Sequence, residues 1–135
     1  MDDRNRIITR AFETDPYAAA QGIRLDRITE DGVVVSLVVT DDHVNFHGVT
    51  HGGALFSLAD CAFALASNAH GDAAVAIDTH LSITAASHVG DVLTATAHEM
   101  TRGRTLGTYR IDITRTDGRT VGLFTGTVFI RPGDG

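Results

Sequence analysis

The sequence predicts an α+β fold in which a curved antiparallel sheet wraps around one long, buried central helix. Three observations predict it. The segment Ala54 to Asn68 is a strong helix former with apolar residues on every side. A β-hairpin precedes that segment, and everything after it reads as strands separated by tight turns. A helix that is apolar all round is normally buried all round. One helix cannot cover both sides of a flat sheet, so the sheet must curl around it, which describes the hotdog arrangement.

The elements follow in chain order. Residues 1–22 form an N-terminal helical segment: Asp3 to Glu13 carries Ile7, Ile8 and Phe12 at helical spacing. After Asp15-Pro16, a brief turn or helix covers Tyr17 to Gln21 and closes at Gly22. Arg24 to Glu30 and Val33 to Thr40 read as strands joined by Asp31-Gly32, a strong hairpin signal. The polar stretch Asp41 to Gly53 has no resolvable period. The central helix, 54–68, contains neither Pro nor Gly and is rich in Ala and Leu, the best helix formers. Four strands follow over Ala73 to Ala85, Val92 to Met100, Thr105 to Arg115 and Arg119 to Ile130. In the third of them Tyr109, Ile111 and Ile113 face one way and Arg110, Asp112 and Thr114 the other. Gly122 and Gly126 share one face of the last strand, where a missing side chain permits curvature or close approach.

Composition narrows the function classes. The 135 residues fit a single domain, 1–135, with a sizeable core. The formal net charge of −6 argues against general nucleic-acid or anionic-membrane binding, which needs a Lys/Arg excess. One cysteine, Cys61, excludes an internal disulfide framework and any multi-cysteine metal site. The start, Met1 to Arg6, has no apolar run behind it, so no signal peptide is expected. No stretch approaches the 18 or so apolar residues of a membrane span. A cytoplasmic location is expected.

Asp60 carries the sharpest chemical signal, as the only charged residue between Gly52 and Asn68. A carboxylate in apolar surroundings is costly unless paired, and such sites are functional candidates. The competing reading is an Asp that caps a neighbouring loop or faces water through a gap. His51-Gly52-Gly53 stands directly before the helix, where unpaired N–H groups and the dipole can bind an oxyanion and no side chain blocks approach. A plain tight loop is the alternative there. Asn45 can position a water or carbonyl, or simply form a turn. His43, His47 and His51 recur every four residues, but their segment is a poor helix and metal ligation is not expected. Ser57, His51 and Asp60 make only a nominal triad, without a nucleophile elbow. Cys61 reads as a buried, inert thiol. Arg102-Gly103-Arg104 is either a phosphate grip or a solvated hairpin tip.

Spacing adds an assembly argument. Asp60 follows Gly53 by seven residues, or about 10 Å along a helix. One acyl group does not easily touch both. If both are catalytic, the helix start and the carboxylate come from two subunits with adjacent helices, and an obligate dimer is expected.

The stretch Asn45-Phe46-His47-Gly48-Val49-Thr50-His51, with Gly53 and Phe56-Ser57-Leu58-Ala59-Asp60, resembles the signature of hotdog-fold acyl-CoA thioesterases. The most similar group is that of phenylacetate-pathway (PaaI-like) thioesterases, and the likeness runs from about residue 15 to residue 131. The resemblance implies that Asp60 is the catalytic general base or nucleophile. It implies that the Gly53 N–H polarises the thioester carbonyl from the other subunit, that Asn45 holds carbonyl or water, and that His51 supports the loop. Arg102, Gly103, Arg104 and Thr105 would contact the CoA nucleotide. It also implies an acyl-CoA substrate, no metal and no cofactor beyond the CoA carried by the substrate, and dimers paired into homotetramers. This chain departs from the group at Ala85-Ala86-Ser87-His88, where a basic-Pro pair is common, leaving His88 as a part-time charge. Ala76 stands where some relatives bear a hydroxyl. The His-led motif of hotdog hydratases is absent; the contrasting reading is a non-catalytic acyl-CoA-binding or sensing module.

Overall fold

Two short helices lead the chain of the computed structural model, which describes residues 2–131; Met1 and residues 132–135, Pro132 among them, lie outside the described residues. Helix α1 (Asp3–Glu13) starts on Asp2, whose side chain accepts from the Asn5 N–H, and buries Ile8. Helix α2 (Pro16–Gln21) starts on Asp15, which accepts from the Tyr17 and Ala18 N–H groups, and stops at Gly22 with φ of 78°. The left-handed conformation there favours glycine, which has no Cβ to clash.

Six strands form one antiparallel sheet in the order β1-β2-β4-β5-β6-β3: β1 (Arg24–Ile28), β2 (Val33–Val38), β3 (Ala73–Ile83), β4 (Val92–Arg102), β5 (Leu106–Thr114) and β6 (Thr120–Arg131). Helix α3 (Gly52–Ser67) packs against β2, β3, β4, β5 and β6, so the sheet does wrap it. This is the expected hotdog architecture. The strand that follows the helix crosses to the far edge of the sheet, which local patterning could not reveal. Tyr109, Ile111 and Ile113 are buried against the helix side as the alternation of β5 requires. Gly126 lets β6 approach α3 closely: a Cβ there would sit 2.6 Å from Cζ of Phe63.

Two expectations need correction. The central helix begins at Gly52 rather than Ala54, because His51 serves as its N-cap and both glycines enter the first turn. The helix is also not buried on all sides. Its residues Gly53, Phe56 and Ala64 are exposed and Ser57 and Asp60 half-buried, a stripe at helical spacing that the sheet leaves uncovered. The α2 segment lies against part of it.

Candidate active site

Asp60 sits in the middle of that open stripe. It borders a cavity of about 270 Å³ lined by Asp15, Tyr17 and Ala18 from the α2 segment and by Ser57, Cys61 and Ala64 from α3. Burial, aided by the nearby negative charge of Asp15, raises the Asp60 carboxyl above the usual carboxylate range. Phe56 and Phe63, a helical turn before and after Asp60, do not line this cavity. They turn elsewhere: Phe56 packs on Phe124 at 5.6 Å between ring centroids, and Phe63 lies in the core between Tyr109 and Phe124. The N-terminal segment provides the burial instead. Cys61 is buried, and desolvation together with Asp15 and Asp60 pushes its thiol up to about 12, so it is no nucleophile.

The loop before α3 is built from side-chain bonds rather than from repeating structure. Asn45 Oδ1 accepts from the N–H groups of His47 at 2.9 Å and Val49 at 3.4 Å, an Asx-type turn that leaves its amide NH₂ as the free half. Both ring nitrogens of His43 are engaged, Nδ1 with Thr40 and Nε2 with the Gln21 carbonyl, so it cannot ligate a metal in this arrangement. Among the described residues no three His, Cys, Asp or Glu side chains converge as a metal site. His51 Nδ1 accepts the Gly53 N–H at 2.8 Å. That bond places the imidazole proton on Nε2. It also means that the Gly53 N–H, expected to face a substrate freely, is held by an exposed side chain of its own loop. Ser57 bonds to the Gly53 carbonyl and to Tyr17, not to His51, so the nominal triad is not assembled.

A second cavity, about 340 Å³, opens beside the start of α3 between Val49, Thr50, Leu55 and the stretch from Ile83 to Ser87. Its polar spot is a buried hydroxyl pair, Ser87 donating to Thr50 at 2.6 Å. The two cavities therefore flank the two ends of the Gly53–Asp60 stretch.

The basic turn divides. Arg104 and Thr105 are exposed with Gly103 between the strands, but Arg102 is the last residue of β4 and turns inward. Its Nη1 donates to the Ser67 carbonyl at the end of α3 and to the Tyr109 hydroxyl, both at 2.9 Å. Tyr109 in turn donates to Glu99 at 2.6 Å, and His70 meets the same carboxylate at 2.7 Å. Arg102 is thus a brace inside the fold rather than a solvated tip. His88 is exposed, as is Ala86, whose carbonyl receives Nη1 of Arg115 at 2.8 Å. That guanidinium stands next to the place where a basic residue is missing from the chain. Sequence reasoning missed Asp15, Tyr17 and Arg115. Each reaches its partner across tens of residues, and no local pattern signals such contacts.

A curved sheet around one helix, with a lone half-buried carboxylate on the helix's open stripe, defines a class. Residues 47–122 match the thioesterase superfamily, and the chain belongs to that family. Among individual proteins, it is 43% identical over 115 residues to the acyl-coenzyme A thioesterase PaaI of Escherichia coli K12, spanning 85% of this chain and 82% of that one. It is 44% identical to a putative esterase of Deinococcus radiodurans over 86% of this chain and 80% of the other. The solved E. coli PaaI structure superposes with a TM-score of 0.93 at 38% identity, covering 97% of this chain and 95% of that one. A hypothetical thioesterase of Streptococcus pneumoniae TIGR4, solved with coenzyme A, superposes with a TM-score of 0.85 at 28% identity over 94% and 99% of the two chains.

Proposed function

We propose that this protein is a cytoplasmic acyl-CoA thioesterase that hydrolyses an aryl- or medium-chain acyl-CoA to the free acid and CoA. The observation that carries the reading is the open stripe of α3, which holds Gly53 and Asp60 two turns apart on one face. In the reaction, Asp60 takes a proton from water as the oxygen attacks the thioester carbon. The oxyanion that forms is met by the N–H groups at the start of α3, and the C–S bond then breaks, with the proton returning to the departing sulfur. Direct attack by Asp60, through an anhydride that water opens, uses the same geometry. Asn45 offers its free amide NH₂ to carbonyl or water. His51 keeps the Gly53 N–H satisfied in the resting chain; the carbonyl oxygen then shares that donor, since three-centre bonds are common at helix ends.

Because Gly53 and Asp60 are about 10 Å apart along one helix, each site takes its helix start from one copy and its carboxylate from another. The edge strand β3 supports pairing of copies: Val75, Ile77 and Ile83 are exposed by 55%, 59% and 56%. Pairing of dimers into a tetramer completes the proposed assembly. Gly103, Arg104, Thr105 and His88 are the exposed candidates for holding the CoA nucleotide, with Arg102 acting through the fold. No metal or cofactor enters this mechanism, CoA arriving as part of the substrate. The test is release of free CoA from a panel of aryl- and fatty-acyl-CoAs by wild type and Asp60→Asn. The variant is expected to lose at least about 100-fold in kcat. Wild-type turnover in the variant would remove Asp60 from the mechanism. If neither protein turns over any thioester while both bind CoA, the protein is a binding module.

A further inference from the structure

The α2 segment has a relation to Asp60 that the hydrolytic reading does not require. We infer that Tyr17 is a positioning residue, whose hydroxyl pins the N-terminal segment down as a roof over Asp60 by way of Ser57; this rests on Asp60 being the catalytic group. The Tyr17 hydroxyl lies 2.8 Å from Ser57 Oγ, and Ser57 Oγ donates to the Gly53 carbonyl at 2.8 Å. Ser57 has one proton and has given it to Gly53, so Tyr17 is the donor between the two hydroxyls. A chain of two hydrogen bonds thus ties the roof to the first turn of α3, on the face that carries Asp60.

Tyr17 itself is held through its hydroxyl, next to Ala18, which is packed in the core. The Tyr17 side chain is 59% exposed, so its ring contributes little burial. The ends of the segment are secured elsewhere. Ile8 and Ala18 are buried in the core, and Arg4 Nη1 donates to the Thr29 carbonyl at 2.8 Å. Asp15, Tyr17 and Ala18 line the 270 Å³ cavity beside Asp60, so Ala18 anchors the roof and the Asp15–Tyr17 part is what the hydroxyl holds. Within one copy, among the described residues, the titratable groups that line the cavity with Asp60 are Asp15 and Tyr17 from the roof and Cys61 from its own helix. Closing the roof excludes water from the carboxylate and brings the Asp15 charge near it. Both effects favour the protonated form, in that order of size. Opening the roof therefore moves the Asp60 titration to lower pH, towards an ordinary carboxylate.

Tyr17→Phe keeps the exposed ring and removes only the hydroxyl; Ser57→Ala breaks the same bond from the helix side. The Asp60 titration is followed by carboxyl NMR, and the acid limb of kcat/KM is measured with the acyl-CoA found active for wild type. Both variants are expected to move the NMR titration and the acid limb together to lower pH, with kcat/KM reduced about 3- to 10-fold. The double variant is expected to match Ser57→Ala, which already removes the Tyr17 bond along with the Ser57–Gly53 bond. An Asp60 titration unmoved in both single variants overturns the roof, whatever the activity. A titration that moves while the acid limb stays put overturns its role in hydrolysis. Full turnover by Asp60→Asn, by contrast, sinks the hydrolytic reading itself.

Discussion

Gly126→Ala tests how tightly α3 is clamped by the sheet, and its effect can be worked from distances. A Cβ at residue 126 would lie 2.6 Å from Cζ, 2.8 Å from Cε2 and 2.9 Å from Cε1 of Phe63. Carbon atoms in contact prefer about 3.5–4.0 Å, so the ring or the strand must shift by about 1 Å. The ring has nowhere to go: Phe63 is 1% exposed and lies 5.9 Å from the Tyr109 ring and 5.5 Å from that of Phe124. Overpacking of this kind costs about 1–3 kcal/mol. For a domain of this size, that lowers Tm by roughly 3–12 °C. Gly122→Ala should cost less, since its nearest neighbour is the flexible end of Ile113, Cδ1 at 3.1 Å. The assay is calorimetric Tm with urea midpoints, and Phe63→Leu should partly rescue Gly126→Ala. A wild-type Tm for Gly126→Ala, or a larger loss at Gly122, would refute the close-approach argument.

Three further predictions concern the site's surroundings. Arg102→Leu removes two hydrogen bonds from a charged donor at the end of α3 and should cost about 1.5–3 kcal/mol in urea unfolding. Arg104→Ala, at an exposed position, should instead leave the unfolding midpoint in place and raise KM for acyl-CoA about 3- to 10-fold. The Asp60 carboxyl is raised by burial and by Asp15, so ionising it weakens the folded state. That penalty is absent at low pH and grows as pH rises through the carboxylate range. Asp60→Asn should therefore gain stability over wild type with rising pH, as measured by Tm across pH 3 to pH 8 or so.

Much of this architecture was legible locally. The Ala/Leu run of α3, the Asp31-Gly32 hairpin and the alternation of β5 each report on near neighbours, and each element formed with its ends within about two residues of the expected ones. Asp60 stood out because a lone charge in an apolar helix needs a reason. Arg102 was misread for an identifiable cause. The register of β4 against β5 shifts between Glu99 and Thr101, so one extra residue reverses the inward and outward alternation. Arg102, two residues past Met100, is thereby rotated into the fold instead of ending in a solvated turn. The loop over Asp41 to Gly53 was opaque because it has no repeating period: local side-chain bonds such as Asn45 to His47 and Val49, and long-range ones such as Thr50 with Ser87 and His43 with Gln21, hold it. The open stripe on α3 was hidden for a similar reason. Hydropathy shows that a helix is apolar, but which of its faces the sheet leaves bare depends on tertiary packing.

The proposed hydrolysis requires Gly53 from one copy and Asp60 from another, and complementation between inactive variants decides whether it does. Gly53→Pro removes the N–H at a first-turn position, where proline is tolerated, and Asp60→Asn removes the carboxylate. Each variant alone should release almost no CoA. Co-expressed in equal amounts, the two chains pair at random, and a shared site draws its helix start and its carboxylate independently. About one quarter of the sites are then intact, and the mixture should show about one quarter of the wild-type kcat per chain. A mixture no more active than its two parents would rule out the shared site and place each site within a single chain.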